Sequence, residues 1–191
     1  MRFLRFFVTG MVLGVIGLNG LEIREAAAQF SHSWEFLKAV EDDDRKELRQ
    51  RERKGANVNA KNGDGLPAMI IAAEHGNVGL MKFILELGVN VDGRAEDRRD
   101  TALMRRAEIG DMETVRFLVT SGADVNLKDR GGENALMKAT RARKRRIVEF
   151  LIASGADVKD TDYTGRTALN YAEEARARSI MKLLRKAESS S

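Results

Sequence analysis

The phrase GADVN at residues 122–126 has three counterparts in the chain: GANVN at 55–59, GVNVD at 88–92 and GADVK at 155–159. From glycine to glycine the steps are 33, 34 and 33 residues. A phrase that returns at so regular a step marks a chain built from similar units. Each unit is too short to bury an apolar face alone, so neighbours must stack and bury it for each other. No other property of the sequence constrains the fold as much.

Aligning the chain on this phrase brings two further blocks into register. Ahead of each glycine lies LMKFILELG (80–88), TVRFLVTSG (114–122) or IVEFLIASG (147–155), and IMKLLRKA (180–187) closes the series. Apolar residues there fall at i, i+1, i+3 and i+4, as in Ile147, Val148, Phe150 and Leu151, which describes one face of a helix. Glycine is a natural stop for such a helix because it adopts the left-handed conformation at little steric cost. Earlier in each unit stand PAMIIAAEHGN (67–77), TALMRRAEIGD (101–111), NALMKATRARK (134–144) and TALNYAEEARA (167–177). Pro, Thr or Asn at the first position is a good helix start, and Gly76 and Gly110 punctuate the junction to the second helix. Polar turns join the units at NGDG (62–65), DRGG (129–132) and DYTG (162–165). Each unit therefore reads as turn, short helix, tight turn, longer helix, glycine. One Pro and 6% aromatic residues fit poorly with a β-sandwich or barrel.

These residues carry a family resemblance. The pattern D-x-x-G-x-T-A-L-x-x-A, then G-(D/N), V-x-x-L and G-A-D-V-N resembles the ankyrin repeat, with DYTGRTALNYA (162–172) and TVRFLVTSGADVN (114–126) matching best. The resemblance implies an all-α solenoid of stacked helix-turn-helix repeats joined by β-turn loops. It covers about residues 31–187, divided into an N-terminal capping unit (31–59), repeats at 60–92, 93–126 and 127–159, and a C-terminal unit (160–187).

Three places depart from the pattern. DDDRKELRQRERKG (42–55) fills the second-helix slot of the first unit, with Gln50 and Arg51 where Phe83 and Ile84 stand later. That helix is expected to be marginal, packed through Leu48 and the aliphatic stems of its arginines. Arg106 occupies a slot held elsewhere by Ala72, Ala139 and Ala172, so it must snorkel or meet a carboxylate. The unit at 93–126 has EDRRDT (96–101) in place of a glycine turn.

Ahead of the repeats the sequence changes character. Arg2 and Arg5 precede an apolar run, Phe6–Leu18, and Ala26 and Ala28 have the spacing a signal peptidase needs. As a helix that run spans about 20 Å, short of the roughly 30 Å hydrocarbon core. Residues 1–28 are therefore expected to be a signal peptide, the mature chain to begin at Gln29, and the protein to be exported, with the periplasm as compartment. Loss of three Arg and two Glu leaves 30 basic and 27 acidic residues. The chain has no Cys, so disulfides, thiolate metal sites and a Cys nucleophile are excluded.

Little in the chain suggests catalysis. His32 and His75 are the two histidines, in different units and without metal-ligand spacing. His32 is expected in a solvated tail, and the adjacent carboxylates Asp42–Asp44 point different ways on a helix. RGGEN (130–134) lacks the strand before it and the Lys–Ser/Thr after it that a phosphate loop needs. Neither cofactor nor metal is expected, and the chain is read as no enzyme. Trp34, Phe36, Leu37 and Val40 form an apolar stripe expected to pack on the next unit. Met69, Met104, Met137 and Met181 are expected in the core.

RARKRR (141–146), with Arg105, Arg106, Arg176 and Arg178 in equivalent neighbourhoods, is expected to form a basic stripe. What the family resemblance implies is a binding surface on the turn tips and first-helix faces of the concave side. By position the tips are Asp64, Arg98, Arg130 and Tyr163, and the helix residues are Glu74, His75, Glu108, Ile109, Arg141 and Glu174. Tyr163 and Ile109 are the apolar anchors among them. The function expected is non-catalytic binding of another protein, which can be acidic, by a monomeric scaffold. Nucleic acid is not expected, because no aromatic residues interleave with the basic ones. The alternative is an envelope protein held at an anionic membrane surface by an uncleaved N-terminus and the arginine stripe.

Overall fold

Each of the first four units closes on its phrase glycine with φ of 80°, 87°, 91° and 89° at Gly55, Gly88, Gly122 and Gly155, the left-handed conformation that ends the preceding helix. The computed structural model describes residues 20–189, and among them ten helices form five consecutive pairs. The pairs are α1 (Gly20–Glu41) with α2 (Arg45–Arg53), α3 (Ala68–Glu74) with α4 (Val78–Glu86), and α5 (Ala102–Ile109) with α6 (Met112–Thr120). The last two are α7 (Ala135–Arg141) with α8 (Arg145–Ala153), and α9 (Ala168–Glu174) with α10 (Arg178–Glu188). First helices pack on first helices of the neighbouring pairs and second on second, so one core runs through all five units.

The two helix classes bury different amounts of themselves. Short α3 buries Ala68, Met69, Ile70, Ile71, Ala72 and Ala73 because neighbours enclose it on several sides and its alanines admit close approach. The second helices bury one stripe, Leu80, Met81 and Ile84 in α4 and Ile147, Val148 and Leu151 in α8. The aromatic residue at i+3 is only partly covered, and an arginine from the preceding second helix lies over it. Arg49 stands 4.9 Å from the Phe83 ring centre and Arg116 4.9 Å from that of Phe150. This explains how the polar helix α2 is held. Asp44 caps it by accepting from the Lys46 and Glu47 amides, Leu48 is fully buried, and Arg45 and Arg49 stack on Phe83.

Turn chemistry joins the units to one another. At the first helices, Thr101, Asn134 and Thr167 cap by accepting from the amide three residues on, as their place in the sequence suggests. In the phrase loops the final Asn reaches across to the next unit. Asn59 accepts from the Asn90 amide at 2.7 Å and donates to the Gly88 carbonyl at 3.4 Å. Asn126 does the same with Asp157 and Gly155 at 2.9 and 3.2 Å. Asp92 holds the equivalent place in the unit between and accepts from the Asp124 amide at 3.2 Å, but a carboxylate has no hydrogen to donate. Lys159 stands at this place in the fourth unit, where the ladder ends.

The irregular third unit shows where its additional residue went. The bridge that closes its turn joins Arg94 to Thr101, against Lys61 to Pro67 and Thr161 to Thr167 in the second and fifth units. One more residue lies inside the turn, which accounts for the 34-residue step. Arg99 takes the left-handed conformation there, with φ of 58°. Arg106 snorkels, half-buried, with its Nε inside the protein and without a hydrogen-bond partner.

At the N-terminus the structure differs from expectation. The apolar run Phe6–Leu18 lies outside the described residues. Helix α1 begins at Gly20, ahead of the start expected for the first unit, and runs through Ala26–Ala28. No helix among the described residues is long and apolar enough to cross a membrane. His32 is not in a tail: it is half-buried on α1, 3.1 Å from Arg51 Nη1. Trp34 is 53% exposed and does not pack on the next unit, whereas Phe36, Leu37 and Val40 do enter the core. At 100° per residue, Trp34 points well away from the face that carries the other three. Met69, Met104 and Met137 are buried, and Met181 packs on the core half-covered.

The ladder yields a test. Burial raises the Asp92 pKa above its ordinary value and the Asp124 carboxylate adds to this, against the Asp124 amide and Arg94. The folded state therefore holds its proton longer than the unfolded chain, and stability from this group falls as pH rises through that range. Asp92→Asn should complete the ladder toward the Gly122 carbonyl. An added hydrogen bond of about 1 kcal/mol should raise the thermal midpoint at pH 7 by about 2–4 °C. An unchanged or lower midpoint rejects this account.

Candidate binding surface

The turn tips are linked into a row. The Glu96 amide donates to the Gly65 carbonyl at 2.9 Å, Arg130 to Arg98 at 2.8 Å and Tyr163 to Gly131 at 3.2 Å. Inside the turns an acceptor side chain organises the loop. Asn62 Oδ1 accepts from the Asp64 and Leu66 amides, Asp129 Oδ1 from Gly131 and Glu133, and Asp162 Oδ1 from Thr164 and Arg166. The third unit has Ala95, buried, at this place, and the buried Asp100 works there instead through both Arg105 and Arg98.

The expected binding residues fall into two sets. Asp64, Arg98, Arg130 and Tyr163 sit on the exposed tip row, with Tyr163 72% exposed. His75 and Ile109 lie at the far ends of α3 and α5, both exposed, Ile109 by 57%. The charged residues of the first helices are instead tied into ion pairs, and those of Glu74 and Glu108 cross to the next unit. Glu74 meets Arg105 at 2.6 Å, and Arg105 also donates to Asp100 at 3.1 Å. Glu108 meets Arg141 at 3.0 Å, and Arg141 reaches Glu133 at 2.5 Å. Glu174 lies 3.7 Å from Arg166. A partner meeting this face finds a largely self-neutralised surface.

The basic residues therefore do not form the single stripe expected. Arg105 and Arg141 turn to carboxylates along the first-helix face. Arg143, Arg145, Arg146, Arg176 and Arg178 lie exposed at the junctions between the paired helices.

A buried polar cluster underlies the last two units. Lys138, 6% exposed at its side chain, meets Asp129 at 2.7 Å and Glu133 at 3.1 Å. Burial opposes the ammonium charge, but the two carboxylates outweigh it and hold the Lys138 pKa above the ordinary lysine value. The Tyr171 hydroxyl stands 2.7 Å from both Glu133 Oε1 and Asp162 Oδ2 and donates its one hydrogen to either, while Arg166 donates to it at 2.9 Å. Burial and the facing carboxylates push the phenol above its ordinary range. Such a cluster fixes the register of the last two units. Sequence reading did not find it. The recurrent Asn or Asp at 62, 129 and 162 was its visible signal, whereas Tyr171 and Lys138 occupy positions that differ from unit to unit.

Stacked helix pairs joined by hydrogen-bonded turn tips define the class of α-solenoid repeat proteins. A family model for ankyrin repeats, in three copies, matches residues 36–129 and 103–190, and the chain belongs to the ankyrin repeat family. Over 78 residues it is 35% identical to ankyrin repeat and SAM domain-containing protein 6 of Mus musculus, covering 41% of this chain and 9% of that protein. It is 32% identical over 82 residues to a putative ankyrin repeat-containing protein of Treponema pallidum (strain Nichols), covering 43% of this chain and 28% of that one. The matched stretch thus spans less than a third of either relative's own length. Ankyrin repeats are modules of protein–protein interaction.

Asp162 supplies the prediction for the cluster. Burial works against its charge, but Thr164, Tyr171 and the amides of Arg166 and Thr164 together hold its pKa well below the ordinary carboxylate range. A depressed carboxylate contributes stability that is present above the unfolded value of about 3.9 and lost as pH falls toward the folded one. Asp162→Asn should lower the thermal midpoint at pH 7, and its difference from wild type should shrink steadily from about pH 4 downward. A difference that is constant with pH would show that the charge is not what matters.

Proposed function

We propose that this chain is a non-catalytic scaffold that holds another protein outside the cytoplasm. The observation that carries this reading is the exposed tip row ending in Tyr163, 72% exposed, in a chain that belongs to a family of interaction modules. Tyrosine and arginine supply most of the strong anchoring contacts at protein interfaces. Tyr163 and Arg98 project from loops whose backbones are already fixed by hydrogen bonds between units, so little ordering is left to oppose binding. Export is supported by Arg2 and Arg5, the apolar run Phe6–Leu18 and the small residues Ala26 and Ala28.

Of the residues read from sequence, Tyr163 and Arg98 test the surface best, because Arg141 and Glu108 also hold units together. Affinity capture from the envelope fraction with the purified chain should retain a protein in stoichiometric amount. Tyr163→Ala with Arg98→Ala should weaken that capture at least about tenfold while the thermal midpoint stays within about 2 °C. Undiminished binding by the double variant would move the partner off the tip row. Mass spectrometry of the native protein from the periplasmic fraction should find a chain beginning at Gln29. An intact Met1 start in a cytoplasmic fraction would end the export reading.

A further inference from the structure

The junctions between paired helices form an edge of the stack whose charge is unlike the rest. Equivalent turns place Asp43, Gly76, Gly110, Arg143 and Arg176 in the left-handed conformation, with φ of 50°, 63°, 99°, 57° and 52°. Glycine is the residue suited to that backbone, and the second and third units have it. The fourth and fifth units have arginine and accept the strain, which is a reason to look for a function there. Arg143 is followed by Lys144, Arg145 and Arg146, and Arg176 by Arg178.

The arginines of this edge are left without carboxylate partners. Arg105, Lys138, Arg141, Arg166 and Arg185 all have acidic partners. Arg143, Arg145, Arg146, Arg176 and Arg178 are exposed and form no ion pair among the described residues. The residues ahead of the second helices change in the same direction. Asp44, Asn77 and Asp111 cap α2, α4 and α6 with side-chain oxygens, whereas Lys144 and Ala177 stand before α8 and α10 and give no such cap. Most nearby carboxylates are committed elsewhere: Glu108 binds Arg141, Glu173 binds Arg185 and Asp111 caps α6, while exposed Glu149, one turn along α8 from Arg145, forms no ion pair with it. Lys144 lies across Gly110, so the basic run reaches the third unit, where Ile109 is 57% exposed beside it.

We propose that this edge, from Ile109 through Arg143–Arg146 to Arg176 and Arg178, docks an extended acidic segment of a partner protein. This deepens the scaffold reading and rests on it, but uses a surface separate from the tip row. Charge complementarity selects the occupant. The cations follow a line across adjacent units, as an extended peptide does. Ile109 is the single large exposed apolar side chain on this edge among the described residues, so an apolar residue at one end of the acidic segment has a place to rest. A lipid surface would favour a broader basic face with apolar residues able to insert.

The test uses the full chain and a fluorescein-labelled peptide of about ten glutamates ending in leucine, with binding read by fluorescence anisotropy at low and high salt. Binding should weaken strongly with salt, as expected of exposed charges. Arg143→Gly with Arg176→Gly removes two charges and places glycine where the backbone favours it. This variant should bind the peptide at least about tenfold more weakly while its thermal midpoint stays level or rises. Ile109→Ala should lose affinity for the leucine-ended peptide but not for an all-glutamate one. Tyr163→Ala should leave peptide binding unchanged, so the edge and the tip row succeed or fail separately. Undiminished binding by the glycine variant overturns the proposal. So does tighter association with phosphatidylserine vesicles or a single-stranded oligonucleotide than with the peptide at equal salt.

Discussion

A helix of seven residues does not persist in water, because the nucleation cost outweighs the few hydrogen bonds it closes. The first helices α3, α7 and α9 have seven residues each, so their existence depends on the neighbours that enclose them. That dependence organises the rest of the molecule. It explains the alanines, which let backbones approach, and the side-chain caps that replace hydrogen bonds a short helix cannot make internally. It also explains why adjacent units are tied at three levels: the core, the tip row and the phrase ladder. Stability in such a stack is approximately the sum of what each unit lacks alone and its interfaces supply.

The same economy governs charge. A cation buried or half-buried in the stack is costly unless a carboxylate meets it, and along the first-helix face Arg105, Lys138 and Arg141 each have two acidic partners. The Arg105–Glu74 and Arg141–Glu108 pairs join neighbouring units, and all of these pairs use up charge that could otherwise attract a partner. What remains for recognition is at the margins, in the tips on one side and the helix junctions on another. Binding capacity in this chain is therefore greatest where stacking demands least.

Much of this was legible in the sequence, for identifiable reasons. The period, the helix starts and stops and the core stripe all follow from local chemistry repeated unit after unit, so each repeat corroborates the others. The slots of Ala72, Ala139 and Ala172, with Arg106 as the exception, could be read in the same way. The direction of a single side chain could not. Trp34 belongs to a run of large apolar residues that reads as one face, but a helix turns by 100° at each step and Trp34 falls outside it. A single arginine stripe does not form, and sequence spacing does not show which carboxylate a guanidinium will find in the preceding unit. Of the Tyr171 cluster only Asp129 and Asp162 stand at a recurrent turn position, while Glu133, Lys138 and Tyr171 itself stand where the residue differs from unit to unit, and the contacts join two units.

The third unit shows how the repeat can vary without breaking. Its additional residue enters the turn, where Arg99 absorbs it in a left-handed conformation, and both helices keep their packing register. The loop acceptor present in its neighbours is replaced by Ala95, yet Asp100 restores an organised turn by holding Arg105 and Arg98 from within. Arg106 is tolerated because its stem lies along the core while its end reaches toward solvent, leaving Nε as the one group unmatched. An insertion of the same length inside α5 would rotate Leu103, Met104 and Ala107 away from their neighbours by 100°, and no side-chain adjustment could restore the stack. The position of the irregularity is therefore dictated by the interface between units, which leaves the chain free to change only in those turns that meet solvent.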